Sequence, residues 1–399
     1  MIDDLRQNSR ALKRVLRHPK PAKPLVWKIG IKKTDKLTVS ISVRRSDSED
    51  TIIFRSSDVP LVPCSEAAIT AVYLSAARVG ADLSIDGDVD ATFAANLQRI
   101  STVLYSWSDD FSPPDIMCNL IEAKPGHSRN RLMPFTGGVD STYSLLKEPT
   151  APEAFLNVAG FDYPIDAPSR AGVETRLRGL AERAGTKLVV VETDIRKFTD
   201  RYVHHTAFNH ASIFAAIGHL TKGSFGRLLV PSSHPADMPA GSHFTMDPLW
   251  SSPDLEIIHH GEHTARVEKI VYLSKFPEIV DTIKVCSNRK STSLNCGKCY
   301  KCIATMTTFD ICGVTSMCGA SSDDLSARSV LFTPLTTSRS RRVLIENIRL
   351  ARFVGHQRME RLLRYNMAIM TSPAPRIFRP IARLFFSARK RLTRTLARF

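Results

Sequence analysis

The middle of this 399-residue sequence predicts an α/β fold, a parallel sheet with helices on both faces, and three observations carry that expectation. From residue 128 onward, apolar runs of strand length alternate with helical patterns of about a dozen residues, a rhythm that implies right-handed crossovers and a covered parallel sheet. A glycine pair in "TGGVDST" (136–142) directly follows one of those runs, at the strand end where such sheets hold ligands. The composition is 43% hydrophobic with ordinary Gly and Pro content, enough to bury a core.

Each element follows from local pattern. Residues 24–56 alternate in the strand manner ("LVWKIGIKK", "KLTVSISVRR", "TIIFRS") between charged turns, which predicts a small meander. "SEAAITAVYLSAARVG" and "DATFAANLQRISTVLYSW" repeat apolar residues at three and four, so two helices follow. Residues 1–125 are accordingly expected to form a small α+β N-terminal domain without evident chemistry. In 126–320 the units are "RLMPF", the glycine loop and "STYSLLK"; "AFLNVAG" and "VETRLRGLAERAG"; "KLVVVET" and "NHASIFAAIGHL"; and a fourth strand, "GRLLVPSS". Residues 321–399 are read as a helical, basic C-terminal extension. Its last part, after a break at "TSPAPRIFRP", sets Ile381, Leu384, Phe385, Leu392 and Leu396 at helical spacing against Arg379, Arg383, Lys390, Arg394 and Arg398.

Charge is unevenly placed. Residues 339–399 hold 16 Lys/Arg against 2 acids and residues 1–46 hold 13 against 3, so within a net charge of +16 the middle carries −8. A uniformly nucleic-acid-coated surface is thereby excluded for the middle, while the tail suits a membrane surface or RNA, or packing on the protein's own core. No run approaches the ~18 apolar residues of a spanning helix and the first residues lack an apolar signal region. The expected compartment is cytoplasmic, with peripheral membrane contact through the tail left open. In that reducing setting the eight cysteines read as metal-binding or inert rather than as a disulfide framework.

The glycine loop is no Walker A motif, because Lys147 stands too far along to serve as its lysine. Two glycines admit close backbone approach to phosphate oxygens, and a helix start favours an anion. Ser141 and Thr142 add hydroxyls, and a carboxylate at Asp140 beside phosphates makes sense when Mg²⁺ lies between them. A plain strand-to-helix turn with an N-cap is the bland alternative. Further on, Cys286, Cys296, Cys299 and Cys302 follow a C-x9-C-x2-C-x2-C spacing that can close a tetrahedron around Zn²⁺, with Arg289, Lys290, Lys298 and Lys301 offsetting the thiolate charge. An iron–sulfur cluster suits the same spacing.

Thr136, Gly137, Gly138, Val139, Asp140, Ser141 and Thr142 together resemble the S-G-G-x-D-S loop of the PP-loop ATP pyrophosphatases, enzymes that adenylate a substrate, with Thr136 in place of the usual Ser. With the cysteines some 150 residues later, the chain over about 130–305 resembles the 7-cyano-7-deazaguanine synthase family. It departs from that family after the second strand, where Gly160-Phe-Asp-Tyr-Pro164 replaces Tyr-Gly-Gln-Arg-His. It is also similar to a further branch of the superfamily, without an assigned activity, in Gly241-Ser-His-Phe-Thr-Met-Asp-Pro-Leu-Trp-Ser251, Ala265-Arg-Val-Glu-Lys-Ile270 and Asn295-Cys-Gly-Lys-Cys-Tyr-Lys-Cys302.

The resemblance implies a HUP/PP-loop type sheet that binds ATP and Mg²⁺ at 137–142. The oxygen of a carboxylate or amide substrate would attack the α phosphorus, and a nitrogen or sulfur nucleophile would then displace AMP. Arg266 and Lys269, three apart on one helix face, would hold the departing pyrophosphate, unless that face is merely solvated. Structural Zn²⁺ at the four cysteines completes the expectation. tRNA thiolation, or a non-catalytic nucleotide-binding subunit, are the alternatives, and the acceptor stays open. Asp247 and Trp250 read either as pocket residues or as a cap and a buried aromatic. His204, His205, His210, His234 and His243, with Asp162 and Asp166, fall in the segments expected at strand ends.

Overall fold

The structure, a computed structural model, describes residues 25–371 except 125, 127, 162, 234–235, 287–293, 315, 318–319 and 322–324. Asp162, His234, Arg289, Lys290, Cys318 and the basic tail beyond 371 therefore lie outside the described residues. The chain divides into two compact units with the boundary at Ala265 and Arg266.

The first unit opens with an antiparallel meander, β1 (Leu25–Lys33), β2 (Thr38–Arg44) and β3 (Glu49–Ser56). Then come α1 (Ser65–Val79), β4 (Ala81–Asp90), α2 (Ala91–Trp107) and β5 (Ile116–Ile121). Next are β6 (Arg131–Pro134), α3 (Val139–Lys147), β7 (Ala154–Ala159), α4 (Arg170–Arg183), β8 (Lys187–Thr193) and α5 (Ile195–Thr199). A π-helical turn (His205–Asn209) leads into α6 (His210–Thr221), β9 (Arg227–Pro231), a 3-10 turn (Asp247–Trp250) and β10 (Glu256–His260).

All ten strands form one mostly parallel sheet, in the order β10-β9-β6-β7-β8-β3-β2-β1-β4-β5. Only the β1–β2, β2–β3 and β3–β8 pairs are antiparallel. Strand residues between 131 and 231 alternate between two clusters. Leu132, Leu156, Val189 and Leu228 join one with Val72 of α1 and Ile217 of α6, while Met133, Phe155, Leu188 and Leu229 join the other with Leu177 and Leu180 of α4. The period of two thus sends neighbours to opposite faces, and helices cover both.

The expected separate domain at 1–125 is not how this sheet is divided. Phe54, Arg55 and Ser56 of β3 pair with Thr193, Glu192 and Val191 of β8, so one hydrogen-bond ladder runs from the meander into the parallel section. β4, β5 and β10 were not expected; "ADLSIDGDVD" carries acids and glycine that mask its alternation, yet Ala81, Leu83, Ile85 and Val89 are buried.

The second unit holds α7 (Arg266–Leu273), α8 (Pro277–Val280), α9 (Tyr300–Ile311), a two-residue hairpin of β11 (Ser316–Met317) and β12 (Ala320–Ser321), α10 (Ala327–Leu331), α11 (Ser338–Phe353) and α12 (Gln357–Thr371). Its core gathers Ile311, Val330, Leu335, Leu344, Ala351, Met359 and Leu363. The boundary expected at 320 falls inside this unit. Thr337 and Ser340 form a reciprocal capping box at the start of α11, and Gly355, in left-handed backbone at φ 77°, follows its end. Among the described residues no helix is long and apolar enough to cross a membrane.

Candidate functional site

Within the sheet, chain order runs β6, β7, β8 to one side and then returns to β9 and β10 on the other. The reversal point lies between β6 and β9, and in open α/β sheets ligands bind outside the carboxyl ends of strands at such a point. The glycine loop leaves β6 there. Phe135 N still donates to Leu156 O at 2.9 Å, Thr136 is exposed, Gly137 adopts a left-handed φ of 68°, and Gly138 caps α3 in extended backbone. The first N–H groups of α3 point outward by construction of the helix and carry its positive end.

Behind this rim the hydroxyls are buried. Ser141 is 7% exposed and donates to Gly138 O at 3.3 Å. Thr142 is 3% exposed and its Oγ1 has no hydrogen-bond partner. Asp140 and Val139 occupy the first turn of the same helix. α3 is held from below: His260 Nδ1 lies 2.9 Å from Ser144 Oγ, His260 Nε2 lies 3.2 Å from Glu148 Oε1, and the Tyr143 hydroxyl is 3.0 Å from Thr264 Oγ1. Sequence reasoning missed Arg176. From the middle of α4 its Nη2 donates to Thr136 O at 2.6 Å, and a methyl on Gly137 would come within 2.8 Å of its Nη1. An arginine on a helix reads as a solvated residue, so no local signal pointed to it.

Neighbouring strand ends add a histidine cluster. Gly160, at φ 93°, passes so close over Thr193 O that a Cβ would lie 1.9 Å from it. Phe161 beyond it meets the rings of His205 at 4.5 Å and His210 at 5.2 Å. Burial, reinforced by His210, Arg196 and His204, pushes His205 down to about 2, so it is a neutral ring. His204 is also lowered, chiefly by burial, and its Nδ1 caps the π-helical turn by accepting from Ala207 N at 3.3 Å. Gly241 lies against that turn: a Cβ would stand 2.8–2.9 Å from the backbone nitrogens of Phe208, Asn209 and His210.

Asp247 and Trp250, weighed for a pocket, are interior supports. Asp247 is fully buried and accepts from Ser242 Oγ at 2.7 Å, His243 N at 2.9 Å and His259 Nδ1 at 2.7 Å. Trp250 is fully buried edge-on to Tyr73. His243, lowered by burial, bonds Ala236 O through Nε2 at 2.8 Å. An open cleft of about 820 Å³ lined by Glu153, Arg178 and Lys187 sits at the amino ends of the strands, the edge opposite the glycine loop.

In the second unit, Cys286, Cys296, Cys299 and Cys302 place their sulfurs all within 4.8 Å of one another. Cys299 Sγ lies 3.5 Å from Cys302 Sγ and 4.0 Å from Cys286 Sγ. Four thiolates tetrahedral about one ion at a Zn–S distance of ~2.3 Å stand about 3.8 Å apart. A cubane, whose thiolates bind separate irons, needs them wider. Asn295 builds the geometry: fully buried, its Oδ1 accepts from Val285 N at 2.9 Å and Cys286 N at 3.2 Å, and its Nδ2 donates to Ile283 O at 2.7 Å, stapling Cys286 beside Cys296. Gly297 turns at φ 63°, and Cys299 and Cys302 flank the start of α9, where the dipole favours thiolates. The Cys302 thiol is pushed up by its hydrogen bond with Cys299, then by burial and the other three sulfurs, a strain that a divalent cation relieves.

Arg266 and Lys269 lie on α7. The helix buries Val267, Lys269, Ile270 and Leu273, and Lys269 is 2% exposed, so the solvated face weighed for it does not describe this lysine. Arg266 is half-buried.

Fold and sites define an α/β protein with a mostly parallel sheet, a glycine loop at its reversal point, and a tetracysteine cluster that can hold a metal such as zinc. No protein-family model, curated protein or solved structure matches the chain.

Proposed function

We propose that the protein is an adenylating enzyme of HUP/PP-loop type, a PP-loop ATP pyrophosphatase that binds ATP at 137–142. The observation that carries this reading is the buried, unpartnered Thr142 Oγ1 behind a left-handed Gly137 at the start of α3. A buried hydroxyl without a partner costs about 1–3 kcal/mol unless a ligand supplies one. A phosphate oxygen beside the N–H groups of α3 is such a ligand.

The Asp140 carboxylate, in the first turn of α3, would hold Mg²⁺, which supplies charge neutralisation on the phosphates. The backbone of Gly137 and Gly138 orients the triphosphate. A carboxylate or amide oxygen of the acceptor attacks the α phosphorus, the α–β bond breaks, and pyrophosphate leaves with the electron pair. Arg176, whose Nη2 reaches Thr136 O at 2.6 Å, is the cation of this unit that would steady it. A nitrogen or sulfur nucleophile then attacks the activated carbon and AMP departs. The four cysteines would hold Zn²⁺ in a structural role, because four thiolates leave no open coordination position.

The experiment is nucleotide binding by calorimetry together with pyrophosphate release over a panel of carboxylate acceptors. Asp140→Ala is expected to abolish release, and Thr142→Val to weaken ATP about tenfold, while both keep the zinc. A chain that neither binds ATP nor releases pyrophosphate with any acceptor overturns the reading.

A further inference from the structure

Between residues 338 and 371 the chain has eight arginines, two glutamates and no lysine. α11 and α12 turn Val343, Leu344, Ala351, Met359 and Leu363 inward. Outward, α11 exposes Arg341, Ile345, Arg349, Arg352 and Phe353, and α12 exposes Arg358, Arg361, Arg364 and Tyr365. Phe353 is 89% exposed and Tyr365 61%, values that no packing within the described chain explains.

Local acids do not neutralise this surface. Glu346 accepts from Arg342 at 3.1 Å, and Glu360 accepts from both Arg352 and Arg364 at 3.0 Å, which draws the two helices' arginines around one carboxylate. Among the described residues, Arg341, Arg349, Arg358 and Arg361 have no acidic partner.

We propose that this hairpin binds single-stranded nucleic acid, with arginines on the phosphates and Phe353 and Tyr365 stacked on bases. Charge complementarity and spacing argue for it. Side chains four apart on a helix stand about 6 Å apart along the axis, so successive guanidiniums can track a phosphodiester chain while a ring stands between them. Every cation is arginine, whose planar group pairs with phosphate and stacks on rings. An anionic membrane fits less well, because Ile345 and Tyr365 each stand among arginines and only Phe353 and Val354 adjoin as exposed apolar neighbours, too little for a continuous apolar face. The inference rests on neither the glycine loop nor the cysteines.

The test is anisotropy of a labelled, mixed-sequence RNA of about 20 nucleotides with the full chain, titrated over roughly 50–300 mM KCl. Six contacting arginines give a slope of log K against log salt near −4, from about −0.7 per phosphate on a single strand. Arg349→Glu with Arg361→Glu is expected to weaken binding more than tenfold and flatten the slope to about −3. Phe353→Ala and Tyr365→Ala should each weaken it about tenfold with the slope unchanged. All four positions are exposed, and circular dichroism checks that the variants fold. Absence of saturable RNA binding at low salt overturns the proposal. So does wild-type affinity in the charge-reversed variant, or capture by phosphatidylserine vesicles, sensitive to those variants, in a chain that ignores RNA.

Discussion

Asn295→Ala is the sharpest perturbation of the cysteine centre, since it leaves every sulfur in place. Asn295 is fully buried, and three of its hydrogen bonds hold Val285 N, Cys286 N and Ile283 O. At about 0.5–1.5 kcal/mol net for each, removing them costs about 1.5–4.5 kcal/mol. The bonds span 283–286, the stretch that must be ordered to present Cys286, so the loss falls on metal binding coupled to local folding. At about 1.4 kcal/mol per factor of ten, zinc affinity should drop between about tenfold and a thousandfold. The assay is competition against a chromophoric zinc chelator, with metal content measured by mass spectrometry. The wild-type chain is expected to hold one zinc. Equal zinc affinity in Asn295→Ala refutes the stapling argument, and a wild-type chain that purifies with iron or takes up no zinc refutes the assignment of the ion.

Thr142→Val should leave the melting temperature unchanged or raise it, because an unsatisfied buried hydroxyl is removed, even as ATP affinity falls; a clear drop in melting temperature would show that the hydroxyl is a structural group. Gly160→Ala forces a side chain into a left-handed φ and onto Thr193 O, and should lower thermal stability by more than ~2 kcal/mol; a wild-type melt would mean that the turn relaxes freely. Burial holds His205 down to about 2 and His219 to about 4, both below the unfolded imidazole. The unfolded chain therefore binds more protons below pH ~6.5, so stability is full above that pH and declines as pH falls toward 4. Melts at pH 7.5 and 5 should differ, and by less in His205→Phe; a flat profile contradicts the burial argument.

Local chemistry made the glycine loop and the four cysteines legible. A glycine pair between a strand-length apolar run and "STYSLLK" marks the turn from adjacent residues, and the structure adds a left-handed Gly137 and a helix start at Val139, two residues earlier. The cysteine spacing needs only one turn and one helix start. What escaped depends on partners distant in sequence. The β3–β8 pairing joins Arg55 to Glu192, 137 residues apart, and nothing in "TIIFRS" names that edge. Arg176 reaches Thr136 across 40 residues, and Asp247 in its 3-10 turn receives His259 from β10. Asn295 stood inside a motif already noted, yet its three backbone bonds could not be read from the string. The π-helical turn was invisible because its i→i+5 pattern has no sequence signature, and Gly241 beside it explains why a bare backbone stands there.

The β3–β8 ladder also sets a timetable for synthesis. β3 is translated long before β8, so through much of elongation the meander has one edge without its neighbour, open to pairing with another nascent chain. Val43 and Ile41 share a core cluster with α1, but the strand that closes the sheet arrives only after three further helices, α2, α3 and α4, have been made. Trimming the protein to its parallel section from about residue 126 would move the same hazard to β8, whose outer backbone would then face solvent. The meander thus acts as a built-in edge guard, and the smallest piece expected to fold without aggregating begins before β1 and runs through β10.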